Sequence, residues 1–106
     1  MYKIGFYVPE THLELVKTAM FEQGGGAYGS YDMCSWQVLG EGQFRPSKKA
    51  HPFLGTTDNL ERIAEYRVEM ICSDQCIREV IQALHVAHPY EEPAYHVIEI
   101  KTIENI

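Results

Sequence analysis

Residues 62–72 alternate without a break. Ala64, Tyr66, Val68, Met70 and Cys72 fall on one side, and Glu65, Arg67 and Glu69 on the other. A side-chain period of two predicts a strand with one buried and one wetter face. Such a strand needs partner strands beside it and a cover over its apolar side. Residues 2–8 repeat the pattern, with Tyr2, Ile4, Phe6 and Val8 opposed to Lys3, Gly5 and Tyr7, until Pro9 ends the run. Residues 31–39 supply another strand, in which Cys34, Trp36 and Val38 share one face. Residues 94–103 supply the last. Trp36 is therefore expected to be buried, in the fold or at an interface.

The cover comes from two stretches of helical period. Thr11-His12-Leu13-Glu14 reads as a capping box, and Leu13, Val16 and Met20 make a stripe, so residues 12–23 are expected to be helical. Gly24-Gly25-Gly26 then stops the helix. Ser73 is expected to cap a second helix with Ile77, Val80, Ile81 and Leu84 buried, and Pro89 lies just past its end. The order is β-α-β-β-α-β. It predicts an α+β, ferredoxin-like sandwich: a four-stranded antiparallel sheet with two helices on one face. The uncovered face is expected to hold Tyr7, Tyr95, Val97 and Ile103 among Lys3, Glu65, Arg67, Glu69, Glu99 and Lys101. That mixture is too apolar to stay wet, which points to self-association.

A chain of 106 residues, 45% apolar and 23% charged, fits one domain over residues 1–106. Its net charge of −6 disfavours general nucleic-acid binding and anionic membranes. No apolar run approaches the roughly 20 residues that span a bilayer. The N-terminus reads as a strand rather than a secretory leader, so a cytoplasmic location is expected. Cys34, Cys72 and Cys76 are odd in number and lack scaffold spacing, which argues for free thiols.

Three segments concentrate chemistry. His88-Pro89-Tyr90-Glu91-Glu92-Pro93-Ala94-Tyr95-His96 sets two carboxylates and a phenol between two prolines and flanks them with imidazoles. It reads as a structural turn, as a ligand site using Tyr90, Glu91 and Glu92, or as a divalent-metal site using His88, Glu91 and His96. Adjacent carboxylates point apart on extended backbone, so Glu91 and Glu92 are not both expected in one site. The 40–61 connection gathers Arg45, Lys48, Lys49 and His51 in an acidic chain, with Phe44 and Phe53 as anchors. It reads as a solvated loop or as an anion-binding one facing the turn. Gly24–Ser30 follows a helix instead of opening one, so it reads as a stop and turn rather than a phosphate loop. No nucleophile elbow, dense metal cluster or dinucleotide fingerprint is present in the sequence.

GGGAYGSYDMCSWQVLGEGQFRP, HPFLG, LERIAEYRVE and HPYEEPAYHV occur in this order over nearly the whole chain. The set resembles the domain inserted in many bacterial Nif-three-like (NGG-one-interacting-factor-three) proteins. That domain is similar to CutA and PII-like signalling proteins. Gln43 and Ser30 depart from the pattern, where threonine and asparagine are expected. The resemblance implies a CutA/PII-like fold, a homo-oligomer with trimer favoured over dimer, and a stand-alone accessory domain. The family's two-metal centre resides outside the inserted domain, so its hydrolase labels do not carry over. The function expected is thus a cytoplasmic binding or regulatory module without catalysis of its own, for a small anionic ligand. The alternatives are a divalent-metal-binding protein and an enzyme with an inter-subunit site.

Overall fold

The computed structural model describes residues 1–106. Strand β1 (Tyr2–Val8) leads through a 3-10 turn (Glu10–His12) into helix α1 (Leu13–Glu22). Strands β2 (Trp36–Phe44) and β3 (Glu61–Cys72) follow, then helix α2 (Ile77–Ala87), strand β4 (Tyr95–Glu99) and a terminal 3-10 turn. All strand pairs are antiparallel, in the order β2-β3-β1-β4. Ile4, Phe6 and Val8 of β1 and Val68, Met70 and Cys72 of β3 meet Val16 and Met20 of α1 and Val80 and Leu84 of α2 in one core. Both helices therefore cover the same face, as the alternation requires. Burial pushes the Cys72 thiol up to about 11, and the neighbouring Cys76 adds to the shift.

Several boundaries differ from the sequence expectation. Strand β2 starts at Trp36, not at residue 31, because the chain before it bonds elsewhere. Tyr28 and Tyr31 exchange backbone hydrogen bonds, and the Cys34 N–H donates to the Gly26 carbonyl at 2.9 Å. Met33 adopts a φ of 54°, which breaks any extended run. At the other end β2 reaches Phe44, and pairing with β3 holds Gly40 and Gly42 in the strand despite their poor propensity. Neither expected side-chain cap forms. Thr11 Oγ1 pairs with His12 Nδ1 at 2.9 Å, and α1 starts after the 3-10 turn. Ser73 offers only its backbone carbonyl to the Cys76 N–H, so Cys76 itself is the N-cap of α2. Strand β4 ends at Glu99, opposite Tyr2; the Ile100 N–H makes one more bond, to the Met1 carbonyl at 3.0 Å, and Thr102 and Asn105 then cap a 3-10 turn over Ile103–Asn105.

Register also changes which residues share the open face. Tyr95 pairs with Phe6 and Val97 with Ile4, so both stand on the helix side, and Tyr95 meets His85 edge-on at 5.1 Å. His96 and Ile98 take the open side instead, beside Gly5 and Lys3. Trp36 pairs with Glu69 and Val38 with Arg67, which puts both on the open face. Trp36 is 53% exposed, with the Arg67 guanidinium 5.4 Å from its ring. Its expected burial inside the fold is corrected: cross-strand neighbours of Glu69 and Arg67 cannot reach the core.

β1 pairs with residues 66–72 of β3, whereas β2 pairs with residues 61–69. Residues 40–44 and 61–65 thus form a two-stranded arm beyond the body of the sheet, in a molecule 48 × 23 × 22 Å across. No helix is long and apolar enough to cross a membrane.

Candidate functional site

Helix α2 closes with the His88 N–H donating to the Leu84 carbonyl at 2.9 Å, after which His88 turns extended and Pro89 blocks continuation. The His88 ring is buried and ties the turn to β1. Its Nε2 lies 2.6 Å from the Tyr7 carbonyl, and its Nδ1 accepts the Tyr90 N–H at 3.1 Å. A carbonyl needs a donor and an N–H needs an acceptor, so this pair of bonds selects the neutral Nε2–H tautomer. Burial lowers the His88 pKa in keeping with that state, although the Tyr7 carbonyl pulls the other way.

Tyr90, so fixed, stacks against three rings: His88 at 4.8 Å, and Phe44 and Phe53 each at 6.4 Å between centroids. Phe53 is pinned in turn by His12, edge-on at 5.4 Å. The long connection folds back over the turn. The Asp58 N–H closes its base onto the Pro46 carbonyl at 2.7 Å, and the His51 N–H donates to both Glu91 oxygens at 3.2 and 3.3 Å. Turn, connection and open sheet face together enclose a cleft of about 380 Å³. Phe44, Phe53 and Tyr90 give its aromatic surface, and Tyr7 and Glu65 come from the sheet. Arg45, Glu91 and Glu92 supply its remaining charges.

The Tyr90 hydroxyl donates to Glu65 Oε2 at 3.3 Å. Burial raises the Glu65 pKa, partly offset by this bond, and the Tyr90 phenol is pushed well above its ordinary value by burial and by the Glu65 charge.

Of the residues singled out from sequence, Tyr90, Glu91, Glu92 and Arg45 line the cleft. Glu91 and Glu92 do so together, because the backbone bends there instead of extending. Lys48 and Lys49 are exposed on the connection and do not line it. The metal set is not assembled. His88 spends both nitrogens on backbone groups, and Glu91 holds the His51 amide. His96 lies flat over Gly5, where an added Cβ would stand 2.4 Å from its Cε1. No three His, Cys, Asp or Glu residues converge as metal ligands. Sequence reasoning missed Glu65, which it read as an outward charge. Gly42, on the neighbouring strand, is the signal that a side chain lies flat there. A Cβ at Gly42 would come 2.0 Å from Glu65 Oε1.

This architecture defines the class of domain: a CutA-like, PII-like ferredoxin fold. The PII-like protein CutA from Nostoc sp. superposes with a TM-score of 0.67 at 22% identity, covering 94% of this chain and 81% of that one. In sequence, the chain is a homologue of a segment of the Nif-three-like proteins called GTP cyclohydrolase 1 type 2 homologs. The Mycobacterium leprae protein of that name is 45% identical over 94 residues, 89% of this chain and 24% of its own length. A crystal structure of a Bacillus cereus protein related to NIF3 superposes with a TM-score of 0.82 at 37% identity, covering 95% of this chain and 26% of that one. The chain thus spans about a quarter of the length of these relatives. No family model matches it.

Proposed function

We propose that residues 1–106 act as one non-enzymatic binding or regulatory module of the cytoplasm that holds a small ligand in the cleft and works as a homo-oligomer. The carrying observation is the cleft itself. The two segments of densest chemistry are stapled together by the His51–Glu91 bonds, between residues 40 positions apart in the chain, over a floor of sheet. A concave, partly aromatic surface with a few convergent polar groups is the usual form of a small-molecule site. Self-association is supported by the open face, where Trp36 and Val38 on edge strand β2 and Ile98 on the opposite edge strand β4 are exposed. The resemblance to CutA favours a trimer. The cyclohydrolase in the relatives' name refers to chains of which these residues span a quarter, and it is not assigned to this segment.

Native mass spectrometry of untagged protein tests the reading. A retained small molecule is expected in the wild type and not in a folded Arg45→Gln/Glu91→Gln/Glu92→Gln variant. Retention that is unchanged by the triple substitution would place the binding site elsewhere.

A further inference from the structure

We infer that the cleft takes a planar ligand that presents adjacent N–H donors, as an amidine or amino-azine edge does, to the carboxylate of Glu65. The inference deepens the proposed function and rests on the cleft being the binding site. Glu65 receives one neutral hydrogen bond, from Tyr90 to Oε2. Its Oε1 lies against Gly42, in the place a Cβ there would take, and receives no hydrogen bond. No cation pairs with it, while the basic residues nearby on the sheet, Lys3 and Arg67, are both engaged with Glu69. A carboxylate accepts about four hydrogen bonds, so most of the capacity of this cleft-lining side chain is unused. A pair of parallel N–H donors matches that geometry and gains from charge assistance.

The walls favour a flat body. Phe44, Phe53 and Tyr90 are tilted rings around one space, and such rings pack best against another ring's face or edge. The charge balance opposes a simple anion. Glu65, Glu91 and Glu92 line the cleft against Arg45 alone, and Lys48 and Lys49 stand outside it. The sequence-based expectation of an anionic ligand relied on Arg45, Lys48, Lys49 and His51, of which only Arg45 lines the cleft.

An NMR titration of the full chain with benzamidine, benzamide and benzoate tests the inference, with the amides of residues 44–54 and 88–94 as reporters. Benzamidine is expected to move them, benzamide less and benzoate least. Glu65→Gln, which keeps the side chain's shape, is expected to weaken benzamidine about tenfold or more, equivalent to ~1.4 kcal/mol. Benzamidine binding unchanged by Glu65→Gln overturns the inference. Benzoate moving these amides as strongly as benzamidine also overturns it but leaves the cleft standing as a site. If no probe moves them, both the inference and the cleft reading fail.

Discussion

His88 spends both ring nitrogens on backbone groups, and truncating it strands the Tyr7 carbonyl and the Tyr90 N–H. His88→Ala is expected to cost about 1–3 kcal/mol, the usual penalty for leaving a buried polar group unpaired. Urea denaturation measures it, and a loss below ~0.5 kcal/mol would mean that water replaces the imidazole. The same residue sets a pH dependence. Its folded pKa is depressed by burial, so the unfolded chain binds the proton more readily. The stability it contributes is full above the ordinary imidazole value and is lost as pH falls from there towards the folded value. Glu65 has the opposite sign: its raised folded pKa favours folding at low pH and is lost as pH rises through that value. Wild type should therefore lose stability more steeply than His88→Gln as pH falls below the ordinary imidazole value of 6.5, and parallel profiles would refute this. The chemical density of His88–His96 was legible in the sequence. The role of His88 was not, because its partner is a carbonyl 81 positions away. Nothing in a string of residues marks a main-chain acceptor.

At the scale of elements, period-two alternation made β1 and β3 plain, and helical stripes did the same for α1 and α2. The start of β2 was hidden because Gly26 redirects the chain before it. Gly26 has a φ of 77°, and a Cβ there would come 2.6 Å from the Cys34 carbonyl oxygen, a backbone atom with little freedom to move. Gly29 also has a positive φ, of 58°, but nothing lies within 4 Å of an added Cβ. Gly29→Ala should cost about 1 kcal/mol from backbone strain alone, and Gly26→Ala should cost more, about 3 kcal/mol or above. Thermal or urea unfolding of the two variants gives the comparison. Equal costs would show that the Cys34 contact relaxes freely. The open-face assignment of Tyr95 and Val97 failed for a related reason: a one-residue shift of register exchanges the faces of a whole strand.

For the whole molecule, the order β-α-β-β-α-β was fully readable, whereas the location of Trp36 depended on pairing that only the folded sheet reveals. Its exposure makes it a reporter of assembly. If the open face is a subunit interface, sedimentation equilibrium at tens of micromolar should give a homo-oligomer, about the concentration at which a ~7 kcal/mol association is significant. Tryptophan emission should shift to the red on dilution. Trp36→Lys should yield a monomer with unchanged far-ultraviolet circular dichroism. A wild-type monomer under these conditions, or an undisturbed assembly in Trp36→Lys, would remove the open face as the interface.

The two-stranded arm has a consequence for local opening. Within the sheet, residues 40–44 and 61–65 pair only with each other, and a two-stranded ribbon of this kind has little stability of its own. It can unzip while the core stays shut, so its amides should exchange with deuterium well before those of residues 66–72. Phe44 and Glu65 belong to this ribbon and also line the cleft. A molecule bound there adds its free energy to the zipped state alone. Filling a small cleft then becomes legible along roughly 17 Å of strand, as a slowing of deuterium uptake in residues the ligand never touches.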